Sequence, residues 1–176
     1  MNANLPLYQN NRKWMRTMDL LQWQSHSILG VLIRMKGGGA NHSGAALIFE
    51  ILGQTRYMTG ESLGGGFYPN YLSRRLQGYK GKVWWHRVLP EFEQYRQGAA
   101  EWVADMIGIK YDYGSLLMNA LCHTSADARE LFCSEAYFLA WRDGGKVPHL
   151  QGIEKAPRPN EIVKVMGIHG GGVRIY

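Results

Sequence analysis

A chain of 176 residues, 45% hydrophobic and 19% charged, has room for one domain with its own core, is too short for two ordinary ones and is too apolar for large-scale disorder. Two cysteines make no disulfide framework and no Cys/His group has zinc spacing, so neither metal nor cofactor is expected. The net charge of +6 attracts polyanions without choosing among nucleic acid, cell-wall polymer and acidic lipid; the basic residues, densest from Arg74-Arg75 to Lys80 and Lys82, read as a solvated surface, not a dedicated nucleic-acid site.

From the N-terminus, Met1 to Met15 lacks the apolar run of roughly 7–15 residues found in secretory leaders. No stretch approaches the ~18 apolar residues of a membrane span. A cytoplasmic protein is expected, with delivery to a cell wall by a phage or another route as the alternative. Met18 to Trp23 reads as a first strand, and Ser25 caps a helix over His26 to Lys36 that Gly37, Gly38 and Gly39 end. The apolar run Ser43 to Leu52 suits a buried strand, and Gly53-Gln54 turns it into an antiparallel partner starting at Thr55. A Gly-rich loop at Gly64 to Gly66 precedes a short helix around Tyr71 to Gln77, and Lys82 to Val88 forms a third strand. Pro90 opens a helix over Glu91 to Ile107, and another covers Leu131 to Arg142, beginning as early as Ser125 in an alternative reading. From Pro148 the tail reads as an extended wrap with at most one short strand, Ile162 to Met166. The expected fold is α+β, a small antiparallel sheet packed against helices, in a single domain over 1–176.

Two short segments carry candidate chemistry. His42 stands where a loop enters a strand, a position from which a side chain projects into a cleft on a rigid support. If Ser43 to Leu52 pairs with Thr55 to Glu61, His42 and Glu61 meet at one end of the hairpin, and the carboxylate fixes the imidazole tautomer. The plainer alternative for Glu61 is a polar strand end. Cys133 lies in Phe132-Cys133-Ser134-Glu135; at a helix start, unpaired first-turn amides and a nearby imidazole would lower its thiol pKa from about 8.5. In mid-helix it would lose the dipole's help, which weakens the catalytic reading; the ordinary role of a lone Cys in an apolar helix is a buried, inert thiol. Cys122 reads as structural and His123 as a reserve base, while His26, His86, His149 and His169 read as solvated or hydrogen-bonded surface groups. Tyr111 and Tyr113 are candidates for a phenol bond to an oxyanion, against core packing as the ordinary role.

The ordered segments together resemble the permuted papain-like cysteine hydrolases of the NlpC-type cell-wall peptidase superfamily, the YiiX-like group related to lecithin:retinol acyltransferase. Met18-Asp19-Leu20-Leu21-Gln22-Trp23 is similar to that family's Gly-Asp-hydrophobic strand, with Met18 where Gly is usual. Asn41-His42-Ser43-Gly44 resembles its Ser-His-Val-Gly strand, Tyr57 to Ser62 the strand ending in Glu-Ala, Gly108 to Tyr113 a Gly-x-x-Tyr-Asp segment, and Cys133-Ser134-Glu135 its Cys-Ser-Glu. The likeness spans about Met18 to Gly145, with 146–176 a C-terminal tail outside it. It implies a circularly permuted papain-like (NlpC-type) fold, with Cys133 as nucleophile, His42 as base and Glu61 as orienter. The Cys133 amide would serve the oxyanion, and Tyr111 and Ser134 are candidates for an oxyanion or substrate contact. The implied activity is cleavage of an amide in peptidoglycan or a related cell-wall peptide. Two alternatives are an acyltransferase or thioesterase with the same triad, taking a lipid acyl substrate, and a non-catalytic module that holds a glycan or nucleic acid through Trp84, Trp85 and basic residues.

Overall fold

The computed structural model describes residues 5–25, 39–40, 42–63, 66–108 and 128–176, with the backbone alone for 62–63, 66 and 128–133. Among the described residues six strands form one antiparallel sheet: β1 (Leu20–Ser25), β2 (His42–Ile51), β3 (Gln54–Leu63), β4 (Gly66–Tyr71), β5 (Gly81–Val88) and β6 (His169–Arg174), in the order β4-β3-β2-β1-β5-β6. Among the described residues the α-helices are α1 (Pro6–Asn11), α2 (Leu72–Gln77), α3 (Arg96–Met106), α4 (Ala128–Leu139) and α5 (Ile162–Met166). The molecule is therefore α+β, with helices on both faces of the sheet.

Side chains alternate along a strand, so each strand feeds two cores. On the first face Leu21 and Trp23 of β1, Ala46 of β2 and Val83 and Trp85 of β5 pack against Leu5 and Tyr8 of the N-terminal segment and Leu72 and Leu76 of α2. On the second face Leu20, Ala45, Leu47 and Val88 pack against Ala99 and Val103 of α3, Tyr137 and Phe138 of α4, and Ile162 and Met166 of α5. Asp19, 1% exposed, ties the two together. Its carboxylate accepts from Trp85 Nε1 at 2.8 Å and from Arg96 Nη1 at 2.9 Å. Met18 just before it has φ 69°, in the left-handed region that glycine favours. Its N–H donates to Ala46 O at 2.8 Å and its side chain is fully buried, which offsets the backbone cost.

Several expectations are corrected. Gly66, expected in a Gly-rich loop, opens the strand β4; lying at the sheet edge, that strand tolerates Pro69 opposite Gly60. The helix expected from Glu91 arrives in two pieces, a 3₁₀ turn over Pro90–Tyr95 and then α3. The tail is no extended wrap. Ile162 and Met166, four residues apart, bury one face of a helical turn, Gly167 stops it at φ 64°, and the strand comes afterwards as β6 against β5. The helix expected over His26 to Lys36, the segments around Tyr111, Tyr113 and Leu116 to Leu121, and Cys122, His123 and Ser125 lie outside the described residues.

Candidate active site

β2 and β3 form a long hairpin whose tight turn, Leu52-Gly53, has both residues at positive φ, as the twist of a two-residue hairpin turn requires. That turn fixes the register, Ala45 opposite Gly60. Glu61 consequently stands beside Gly44, and His42, two residues earlier on the same face, reaches it diagonally. His42 Nε2 donates to Glu61 Oε2 across 3.2 Å. Nδ1 is then the nitrogen that this tautomer presents as an acceptor. On the other side β1 places Trp23 opposite His42, with ring centroids 6.4 Å apart.

Glu61 is fully buried and has a second partner that sequence reasoning missed. Arg75 Nε, from α2, donates to Oε1 at 3.2 Å and to Oε2 at 3.0 Å. Burial by itself would raise the Glu61 pKa, but the hydrogen bond and charge of His42 and the Arg75 guanidinium outweigh it and hold the carboxyl below its ordinary range. Arg75 sits over the rings of Trp23 and Tyr79, 5.1 and 5.6 Å from their centroids, and those rings meet edge to face at 5.0 Å. The solvated reading of the Arg74-Arg75 cluster is thus corrected at Arg75. The available signal was its place beside Leu76 and three residues after Leu72, the two buried residues of α2.

Cys133 is the sixth residue of α4. The unpaired amides of a helix are its first four, so the expected dipole help to the thiol and the Cys133 amide as oxyanion donor are both corrected. Its side chain lies outside the described residues, as does Tyr111. The body of α4 packs through Tyr137 and Phe138 on the second face, opposite the His42–Glu61 pair. Ser134 is fully buried in α4 and offers no surface to a substrate.

A second buried polar group lies on the second face. Tyr137 Oη donates to Met18 O at 2.6 Å, and because a hydroxyl carries one proton, His169 Nε2 must donate to Tyr137 Oη at 2.7 Å. Burial first, then the positive neighbours His86 and Arg96, push the His169 pKa down to about 3. His86 is buried too, its Nδ1 3.3 Å from Gly170 O. Neither histidine is the surface group expected of it.

Among the described residues no three His, Cys, Asp or Glu side chains cluster as metal ligands, and no helix is long and apolar enough to cross a membrane. A scan against protein-family models gives no match, and a search of curated proteins finds none.

Proposed function

We propose that this chain is a cysteine hydrolase that cleaves an amide in a cell-wall peptide, with a permuted papain-like arrangement of Cys133, His42 and Glu61. The observation that carries the reading is the 3.2 Å bond between His42 Nε2 and Glu61 Oε2, which joins the two strand residues singled out for base and orienter. In this mechanism His42 Nδ1 takes the Cys133 proton, and the thiolate adds to the substrate carbonyl. The same imidazole then protonates the departing amine, leaving a thioester on Cys133. Water, deprotonated by His42, adds to the thioester carbonyl; the C–S bond breaks, releasing the acid, and the Cys133 sulfur takes the proton back from His42. With Cys133 beyond the first turn of α4, thiol activation falls to His42 and not to the helix dipole.

One observation favours a second reading, a module with no turnover: α4 packs on the face opposite His42. The pH dependence of iodoacetamide alkylation, with the labelled cysteine located by mass spectrometry, separates the two. The hydrolase reading expects fast labelling of Cys133 near neutral pH that is lost in His42→Ala, and peptide turnover abolished by Cys133→Ala but kept by Cys122→Ala. Slow labelling of Cys133 with an apparent pKa near the free thiol value of about 8.5 assigns the non-catalytic role.

A further inference from the structure

We propose that Arg75 is a positioning residue that sets the proton affinity of His42 through Glu61. The link to catalysis rests on the hydrolase reading; the effect on His42 does not. Glu61 Oε2 is the oxygen that orients the imidazole, and it is also the oxygen that Arg75 Nε holds at 3.0 Å. One atom therefore answers to both partners, and any displacement of the guanidinium moves the acceptor of the His42 proton. The guanidinium is itself fixed, because it rests on the edge-to-face pair of Trp23 and Tyr79, and Trp23 is the cross-strand partner of His42. Imidazole and guanidinium thus share the Trp23 ring.

The charges give this arrangement its consequence. A lone buried carboxylate would draw a second proton onto His42 strongly, since an imidazolium would be its sole counter-charge. Arg75 already supplies that charge, so protonating His42 turns a neutral carboxylate–guanidinium pair into a cluster with a net positive charge. Relative to a lone carboxylate, the pair lowers the proton affinity of the imidazole, towards the form able to accept a proton from a thiol. Around His42, Glu61 of β3 bonds the ring, Trp23 of β1 lies beside it, and Arg75 of α2 meets the same Glu61 oxygen. Arg75 alone among them is a fixed cation.

The test is an NMR titration of the His42 ring in the full chain. Arg75→Gln should raise the His42 pKa by about one pH unit, Glu61→Gln should lower it, and Arg75→Lys, which restores the charge, should return it close to the wild-type value. Arg75→Met retains the aliphatic stem over the rings and takes the place of the glutamine variant if that one does not fold; the same rise is expected. A shift below about 0.2 unit in the variant used, or a downward one, overturns the proposal. Alkylation of Cys133 followed in the same variants keeps the two readings apart. An alkylation profile that moves with the His42 titration supports both, whereas a His42 shift with no change in Cys133 reactivity upholds the role of Arg75 and removes Cys133 from the site.

Discussion

Gly44 stands directly beside Glu61 with no side chain to separate them. A Cβ at Gly44 would lie 3.4 Å from Glu61 Cγ, 3.1 Å from Thr59 Oγ1 and 3.0 Å from Gly60 O. The diagonal bond between His42 and Glu61 passes over this gap. Gly44→Ala should therefore crowd the carboxylate away from the imidazole and lower stability by about 1 kcal/mol. Urea denaturation measures the loss, and a lower His42 pKa by NMR reports the longer bond. An alanine variant with unchanged stability and unchanged titration would show that the gap has no role.

Glu61 should make the fold acid-sensitive. Its folded pKa lies below the ordinary 4.5, so its contribution is fully present above that value and disappears as pH falls through the lower folded value. Glu61→Gln should cost about 2 kcal/mol near neutral pH, the scale of hydrogen bonds to charged groups. It should also flatten the decline in stability below 4.5. Chemical denaturation of both proteins across the acid range checks the slope, and parallel curves would contradict the assignment.

His169 should act over a different window. Its pKa falls from an ordinary 6.5 to about 3 in the folded state, so the unfolded chain binds the proton first. The stability from this residue is complete above 6.5 and drains away as pH falls towards 3, at no more than about 1.4 kcal/mol per pH unit for one proton. His169→Gln keeps a donor for Tyr137 Oη and cannot titrate. Its stability should depend less on pH across that window than the wild type's, and an equally steep dependence would count against a buried neutral His169.

Met18 holds a backbone conformation suited to glycine, yet its side chain is fully buried. Met18→Gly should recover about 1 kcal/mol of backbone strain and forfeit about 2–5 kcal/mol of core packing. A net loss in the thermal midpoint is expected. A more stable glycine variant would mean that the strain outweighs the packing.

The β2–β3 hairpin was legible because an apolar run ended at Gly53, and with the turn placed, alternation alone brought His42 and Glu61 to one end. Arg75 was hidden by its company, since an arginine in a basic cluster looks like surface until the short helix around it is oriented by Leu72 and Leu76. β6 was hidden for another reason: Gly170, Gly171 and Gly172 have no strand propensity, and β5 supplies their pairing. Gly172 even fits closely under the His86 ring, where a Cβ would approach Cε1 to 2.6 Å. His169 was misjudged because its partner Tyr137 comes from a helix distant in sequence. The helical position of Cys133 turned on where α4 begins, and the apolar pattern around Leu131 does not mark that boundary.

The strand order also bears on how the chain reaches this state. β2, β3 and β4 follow one another as hairpins, so their half of the sheet assembles from neighbours in sequence. β6 has to return across roughly eighty residues to find β5, and closures of that length are slow. The bond from His169 to Tyr137 should then form with this last strand, after the hairpin that carries His42 and Glu61. Weakening β6 should then hasten unfolding more than it retards folding, leaving a chain whose proposed base and orienter meet before its sheet is complete.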